Sequence, residues 1–262
     1  VRDYRRVIVV TTEAAPTPPG KGVRVARALS ALGHDVALTG FAPAPAEPIA
    51  RVTDAVVGSP AEAVTEWARL LAVYRGLLAR GAEAVALCGG LPPGVPVGGY
   101  AELIREARAA GVYVVLDAYG PALRRGLGAR PDLVVQDAAG LAGLTGFNEP
   151  VRAARDAWQR GARAVAASLG PGGAGMLVLT EEGGWRAAPP PGHGPDARAG
   201  AADRALAGLL SGAAAGLPWP ERLARAVALA EAPGPDPAAG DHDPAAYGEL
   251  LPRVEVVPLA TS

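Results

Sequence analysis

Short β-branched runs alternating with longer stretches of helical period constrain this chain more than any other feature. Runs at Val7–Thr11, Asp35–Thr39, Ala84–Leu87, Val112–Asp117, Asp132–Val135 and Ala164–Ser168 read as strands. Between them, Gly22–Leu32, Pro60–Arg80, Val97–Ala110, Pro121–Leu127 and Pro150–Arg160 carry apolar residues at helical spacing. A strand that returns through a helix to a parallel neighbour does so with right-handed crossover, so repeated units of this kind lay helices on both faces of a mostly parallel sheet. The fold class expected is α/β, a three-layer α/β/α sandwich, with residues 1–262 forming a single domain.

After Ser168 the rhythm changes. Met176–Thr180 and Gly184–Ala188 are too close together to admit a helix and read as a β-hairpin. A glycine- and proline-rich loop, Pro189–Ala199, precedes helices at Ala201–Ala215 and Pro220–Glu231. Pro233–Asp243 reads as a linker-like loop and Val254–Val257 as a last edge strand.

Charge and cysteine content narrow the function. Twenty-five basic and 26 acidic residues are scattered along the chain for a net charge of −1, so no basic face attracts nucleic acid or acidic lipid, and a small molecule is the expected partner. Cys88 is the single cysteine, which fits a reducing compartment, and no run approaches the ~18 apolar residues of a membrane span. A cytoplasmic location is expected.

Several local patterns carry chemistry. Gly170, Gly172 and Gly175 match the bare spacing of a dinucleotide fingerprint, but a strand follows them where pyrophosphate needs a helix N-terminus, so nicotinamide and flavin chemistry is set aside. Pro18-Pro19-Gly20-Lys21-Gly22 lacks the spacing and the hydroxyl of a Walker loop; it places a cation at a helix start, where an anionic ligand would relieve the dipole, or leaves a solvated surface lysine. Gly200-Ala201-Ala202-Asp203 opens an apolar helix: its amides can hold an anion and its carboxylate can take a hydroxyl proton, or Asp203 merely stabilises the dipole. His34, His193 and His242 have no paired ligand spacing, so no metal site is expected from them.

Taken in order, these pieces resemble the ribokinase-like (PfkB) carbohydrate kinases, most closely the 1-phosphofructokinase and tagatose-6-phosphate kinase branch. Pro19-Gly20-Lys21-Gly22-Val23-Arg24-Val25-Ala26 looks like the family's G-G-K-G-x-N-x-A. Gly89-Gly90-Leu91-Pro92-Pro93-Gly94-Val95-Pro96, with Tyr100 beyond, is similar to G-S-L-P-P-G-V-P. Asp117 and Gly120 resemble the D-x-S-G step, and Ser168-Leu169-Gly170 with Gly173-Ala174 resembles S-L-G-x-x-G-A. Gly200–Asp203 falls where the family has G-A-G-D.

The resemblance implies a ribokinase-like fold, ATP with Mg2+, and a sugar or sugar-phosphate hydroxyl as nucleophile. It implies Asp203 as catalytic base with the Gly200, Ala201 and Ala202 amides as anion hole, Ser168, Gly170 and Gly173 beside the nucleotide, and Gly20, Lys21, Gly22 and Gly90 beside the substrate.

The departures fall on functional positions. Glu13-Ala14-Ala15-Pro16-Thr17 stands where the family has N-P-A-x-D, without the aspartate, and the chain then runs straight to Pro18, so the β-lid is expected to be reduced or absent. Ala42–Arg51 replaces a longer substrate-contacting region. Pro19 and Arg24 replace a glycine and an asparagine, Asp137-Ala138-Ala139-Gly140 lacks the glutamate of N-x-x-E, and Ala202 adds a Cβ to the anion hole.

A lid-less site admits water, so weak transfer or ATP hydrolysis is expected. Without the dimer clasp that accompanies the lid, the chain is expected to be a monomer or a weak dimer. Two functions are open: an ATP-dependent sugar-phosphate kinase, or a non-catalytic member that binds a nucleotide or sugar phosphate or serves as a scaffold.

Overall fold

The computed structural model describes residues 6–12, 20–41, 52–58, 63–169, 175–192 and 200–259. The stretches Glu13–Thr17 and Ala42–Arg51, the lid expected to be missing before Pro18, and Gly170 and Gly173 lie outside the described residues. The chain divides into two compact units, residues 1–132 and 133–262.

The first unit is built on five parallel strands in the order β5-β4-β1-β2-β3. These are β1 (Arg6–Thr12), β2 (Asp35–Phe41), β3 (Val52–Gly58), β4 (Ala84–Cys88) and β5 (Tyr113–Asp117). Val7–Val10 and Val85–Leu87 have no exposed surface, the continuous apolar pattern of strands covered on both faces. Each valine, isoleucine or leucine among them contributes about 1.5–3 kcal/mol by leaving water.

Helices α1 (Lys21–Ala31), α2 (Ala63–Ala79), α3 (Gly99–Ala109) and α4 (Gly120–Leu127) make the connections. The chain steps one way from β1 through α1 to β2, and the opposite way from β4 through α3 to β5. Right-handed crossovers therefore put α1 and α3 on opposite faces. Helix α2 joins α3, with Tyr74 donating its hydroxyl to the carbonyl of Leu103 at 3.1 Å.

β3 is an element that the sequence reading did not anticipate. Its Val52–Gly58 segment carries Asp54 and only a short β-branched run, and it owes its place to parallel pairing with β2.

The second unit has the strand order β10-β9-β8-β7-β6. β6 (Leu133–Asp137) and β7 (Ala164–Ser168) run parallel, whereas β8 (Met176–Thr180), β9 (Gly183–Ala188) and β10 (Glu255–Pro258) are antiparallel. The expected hairpin is β8–β9, and the strand after the glycine triplet removes the dinucleotide alternative.

Helices α5 (Ala138–Thr145) and α6 (Pro150–Gln159) join β6 to β7, and α7 (Ala201–Ala214), α8 (Trp219–Ala230) and α9 (Pro244–Leu250) follow the hairpin. Helices α7 and α8 approach to backbone contact. A Cβ on Gly208 would lie 2.7 Å from the Cα of Ala226, and one on Gly212 would lie 2.9 Å from Cγ of Arg222. Pro233–Asp243 is more ordered than a linker: Pro233 bridges to His242, and Asp236 caps a short 3-10 turn at Pro237–Ala239.

Candidate active site

The carboxyl ends of parallel strands are where ligands settle, above all where neighbouring crossovers diverge. In the first unit that point lies between β1 and β4, which is where Thr12, Cys88, Gly89 and Gly90 are found. Tyr100 of α3, fully buried, holds this edge together. Its hydroxyl donates toward the carbonyls of Cys88 at 3.0 Å and Gly89 at 3.1 Å, and it pairs with the Thr12 hydroxyl. Burial holds its phenol well above the ordinary tyrosine range, so it remains a proton donor.

Gly20 caps α1 and Lys21 is its first residue. The cation that the sequence places at this helix start is already met by a carboxylate of the protein: Lys21 Nζ lies 2.8 Å from Asp117 Oδ2 at the end of β5. Asp117 answers part of the charge that the sequence places at this helix start. The fold thus brings the Gly20–Gly22 turn and the Asp117 step into contact.

Gly90 begins the Leu91–Pro96 turn, and the ring of Tyr119 lies so close that a Cβ on Gly90 would sit 2.5 Å from Cζ. Tyr119 occupies the third position of the Asp117–Gly120 step, where D-x-S-G carries serine. Tyr119, 59% exposed, Gly90, Pro92, Val95 and Ala122 line a cleft of about 250 Å3 at this edge. The bulk of Tyr119 is a feature the motif comparison passed over, although the substitution was readable in the sequence.

In the second unit, Gly200 is the N-cap of α7 with φ of 72°, and Asp203 stands in the first turn, 4% exposed. The first helical hydrogen bond runs from the Arg204 amide to the Gly200 carbonyl at 2.9 Å. The amides of Gly200, Ala201 and Ala202 therefore precede the helical ladder and form the positive end of its dipole. The Cβ of Ala202 leaves this turn intact. A buried carboxylate and three helix-start amides within one turn can accept a proton and hold an anion.

Ser168 ends β7, half-buried, opposite Asp137 on β6 and Met176 on β8. The Leu169 amide donates to the Gly175 carbonyl at 3.0 Å. Asp137 has a structural duty, since its Oδ1 accepts from the Gly140 amide at 2.6 Å and caps α5. Gly140 replaces the glutamate of N-x-x-E, and a Cβ there would meet Gln136 Oε1 at 2.5 Å.

Arg204 was missed by sequence reasoning. It follows Asp203 in α7, is fully buried, and directs its guanidinium at main-chain carbonyls of Leu229, Ala230 and Pro237. Among the described residues no group of three or more His, Cys, Asp or Glu side chains is placed to hold a metal ion, and no helix is long and apolar enough to cross a membrane.

Residues 49–232 match the pfkB family carbohydrate kinase profile. A 1-phosphofructokinase of Rhodobacter capsulatus is 36% identical over 249 residues, covering 80% of this chain and 78% of that protein. The structure of Escherichia coli phosphofructokinase-2 in complex with fructose-6-phosphate superposes with a TM-score of 0.74 at 20% identity, over 95% of this chain and 99% of the other. A carbohydrate kinase from Agrobacterium tumefaciens gives 0.67 at 15% identity, over 97% and 100%. The two structures share the α/β fold with its mostly parallel sheet, and the family match and the relative settle lineage: the chain belongs to the pfkB family of carbohydrate kinases.

Proposed function

We propose that this protein transfers a phosphoryl group from ATP to a hydroxyl of a sugar or sugar phosphate, with chemistry of the 1-phosphofructokinase kind. The observation that carries the reading is the first turn of α7, where the left-handed Gly200 opens the helix and the buried Asp203 stands in the same turn as the helix-start amides. The identity to the R. capsulatus 1-phosphofructokinase supports a phosphosugar as acceptor.

Asp203 takes the proton of the attacking hydroxyl as its oxygen bonds to the γ-phosphorus and the bond to ADP breaks. The amides of Gly200, Ala201 and Ala202 and the dipole of α7 stabilise the anionic oxygens of the transferred group. Gly20, Lys21, Gly22 and Gly90 serve the substrate, and Ser168 with Gly170 and Gly173 the nucleotide. Mg2+, when bound with the nucleotide, would supply positive charge that neutralises its phosphates.

The comparisons lend no support to the non-catalytic alternative. ADP release with ATP, Mg2+ and a panel containing fructose 1-phosphate, tagatose 6-phosphate and fructose 6-phosphate tests the proposal. The expected result is turnover with at least one of them, and a fall in kcat of about 10³-fold in Asp203→Asn with its melting temperature retained. Absence of phosphosugar-dependent ADP release, or an Asp203→Asn variant as active as the parent, would refute it.

A further inference from the structure

A fully buried arginine in the first turn of a helix is electrostatically misplaced. Its charge sits at the positive end of the α7 dipole and has left water, and each circumstance costs free energy unless something answers it. Around Arg204 the answer is a cage of carbonyl oxygens from two segments. Nε lies 3.1 Å from the Leu229 oxygen, which also accepts from the Ala232 amide at 3.4 Å, and Nη2 lies 2.9 Å from the Ala230 oxygen, both in the last turn of α8, where the i+4 ladder has ended. Nη1 lies 3.2 Å from the oxygen of Pro237. These oxygens carry partial negative charge, and the α8 C-terminus adds its own dipole.

The same guanidinium stands directly behind the anion-holding turn. A Cβ on Gly200 would lie 3.2 Å from Arg204 Nη1 and 2.3 Å from the Pro237 oxygen. Pro237 therefore touches Gly200 on one side while accepting from Arg204 on the other. The charge is also felt farther along the loop, where Arg204 helps to hold His242 neutral.

We propose that Arg204 is a positioning residue: an internal cation that clamps Pro237 against Gly200, fixes the amides of Gly200, Ala201 and Ala202, and adds positive potential behind the transferred phosphoryl group. A neutral side chain of the same length could fill the space, but could not hold three oxygens or supply the charge. This inference rests on the reading of the α7 turn as the phosphoryl site.

The test compares Arg204→Ala, Arg204→Met and Arg204→Lys with the parent in the ADP-release assay, with and without low millimolar guanidinium. Arg204→Met is expected to lose about 100-fold in kcat with KM for the phosphosugar nearly unchanged, because the interaction is felt in the transition state. Arg204→Lys retains an intermediate rate. In Arg204→Ala, guanidinium, which fits the vacated cage, restores at least several-fold activity, while tetramethylammonium, which cannot donate hydrogen bonds, does not.

Parent-like kcat in Arg204→Met, or loss in Arg204→Ala that guanidinium leaves untouched, would overturn the inference. Should the Ala variant fail to fold, the Lys and Met pair still decides by their difference in kcat. If the parent itself shows no turnover, the kinase reading fails separately, and inorganic phosphate then decides the inference. Phosphate is expected to raise the melting temperature of the parent and not of Arg204→Met; equal shifts would count against it.

Discussion

Lys21 Nζ lies 2.8 Å from Asp117 Oδ2, joining the first residue of α1 to the last residue of β5. The lysine is 28% exposed and the aspartate 9%, so the pair is neither a screened surface contact nor a fully desolvated one. Lys21→Met should cost about 1–2 kcal/mol in urea denaturation, between the values for exposed and buried pairs. If Lys21 also faces the substrate anion, the same variant raises KM for the phosphosugar about tenfold and leaves kcat within a factor of a few. An unchanged KM would assign Lys21 to structure alone.

Gly200→Ala should be severely destabilising. The residue combines a φ of 72° with a Pro237 oxygen 2.3 Å from the added Cβ, and neither can be relieved by rotating a side chain. The expected loss is about 2–4 kcal/mol, read from the urea midpoint, together with loss of turnover. Gly90→Ala provides the contrast: the obstacle there is the exposed ring of Tyr119, which can swing aside, so the stability change should stay below about 1 kcal/mol.

Two buried phenols make the protein sensitive to alkali. Tyr74 and Tyr100 are both held above the ordinary value of 10.0, chiefly by burial, and in the folded state they keep their protons where the unfolded chain loses them. Their contribution is complete below about pH 10 and is lost as pH rises beyond it. Urea midpoints should be level from neutral pH to about pH 10 and fall above it, with a shallower fall in Tyr74→Phe. A midpoint that stays level through about pH 11.5 would contradict this.

His242 acts at the other end of the scale. Burial lowers its pKa, the charge of Arg204 on α7 lowers it further, and Asp241 and Asp243 oppose the shift; the ring of Tyr247 on α9 lies edge-on at 6.1 Å. Its buried Nδ1 has no hydrogen-bond partner. A histidine kept neutral by folding stabilises above the unfolded value of 6.5, and that contribution diminishes as pH falls below it. His242→Gln should therefore flatten the decline in urea midpoint between about pH 7 and pH 5, and an unaltered slope would exclude this histidine as its source.

Much of the architecture was legible because its determinants are local. Val7–Val10 and Ala164–Ser168 are apolar runs too short for buried helices, and Thr180-Glu181-Glu182-Gly183 leaves no room for anything but a turn. Helix α5 was missed because Ala-Ala-Gly-Leu-Ala-Gly-Leu-Thr has no polar face; the Asp137 cap and the left-handed Gly146 delimit it. Helix α9 had its signal in Asp243-Pro244, a cap followed by proline at the first helical position, overshadowed by the proline and glycine before it. At the site, Gly200–Asp203 was readable as a motif. Arg204 was not, because an arginine beside a helix start looks like a solvated charge until the carbonyls of a helix 25 residues later are seen to enclose it.

Strand β10 carries a consequence for behaviour in concentrated solution. It is four residues long, opens on Glu255 and closes on Pro258, and among the described residues it pairs with β9 alone. A long bare strand edge invites another chain to add to it, and the addition can repeat without limit. Here the invitation is brief: the charge resists desolvation and the proline has no N–H to offer a newcomer. This border of the second unit's sheet is thus poorly suited to seeding aggregates, a safeguard written into four residues that do no chemistry.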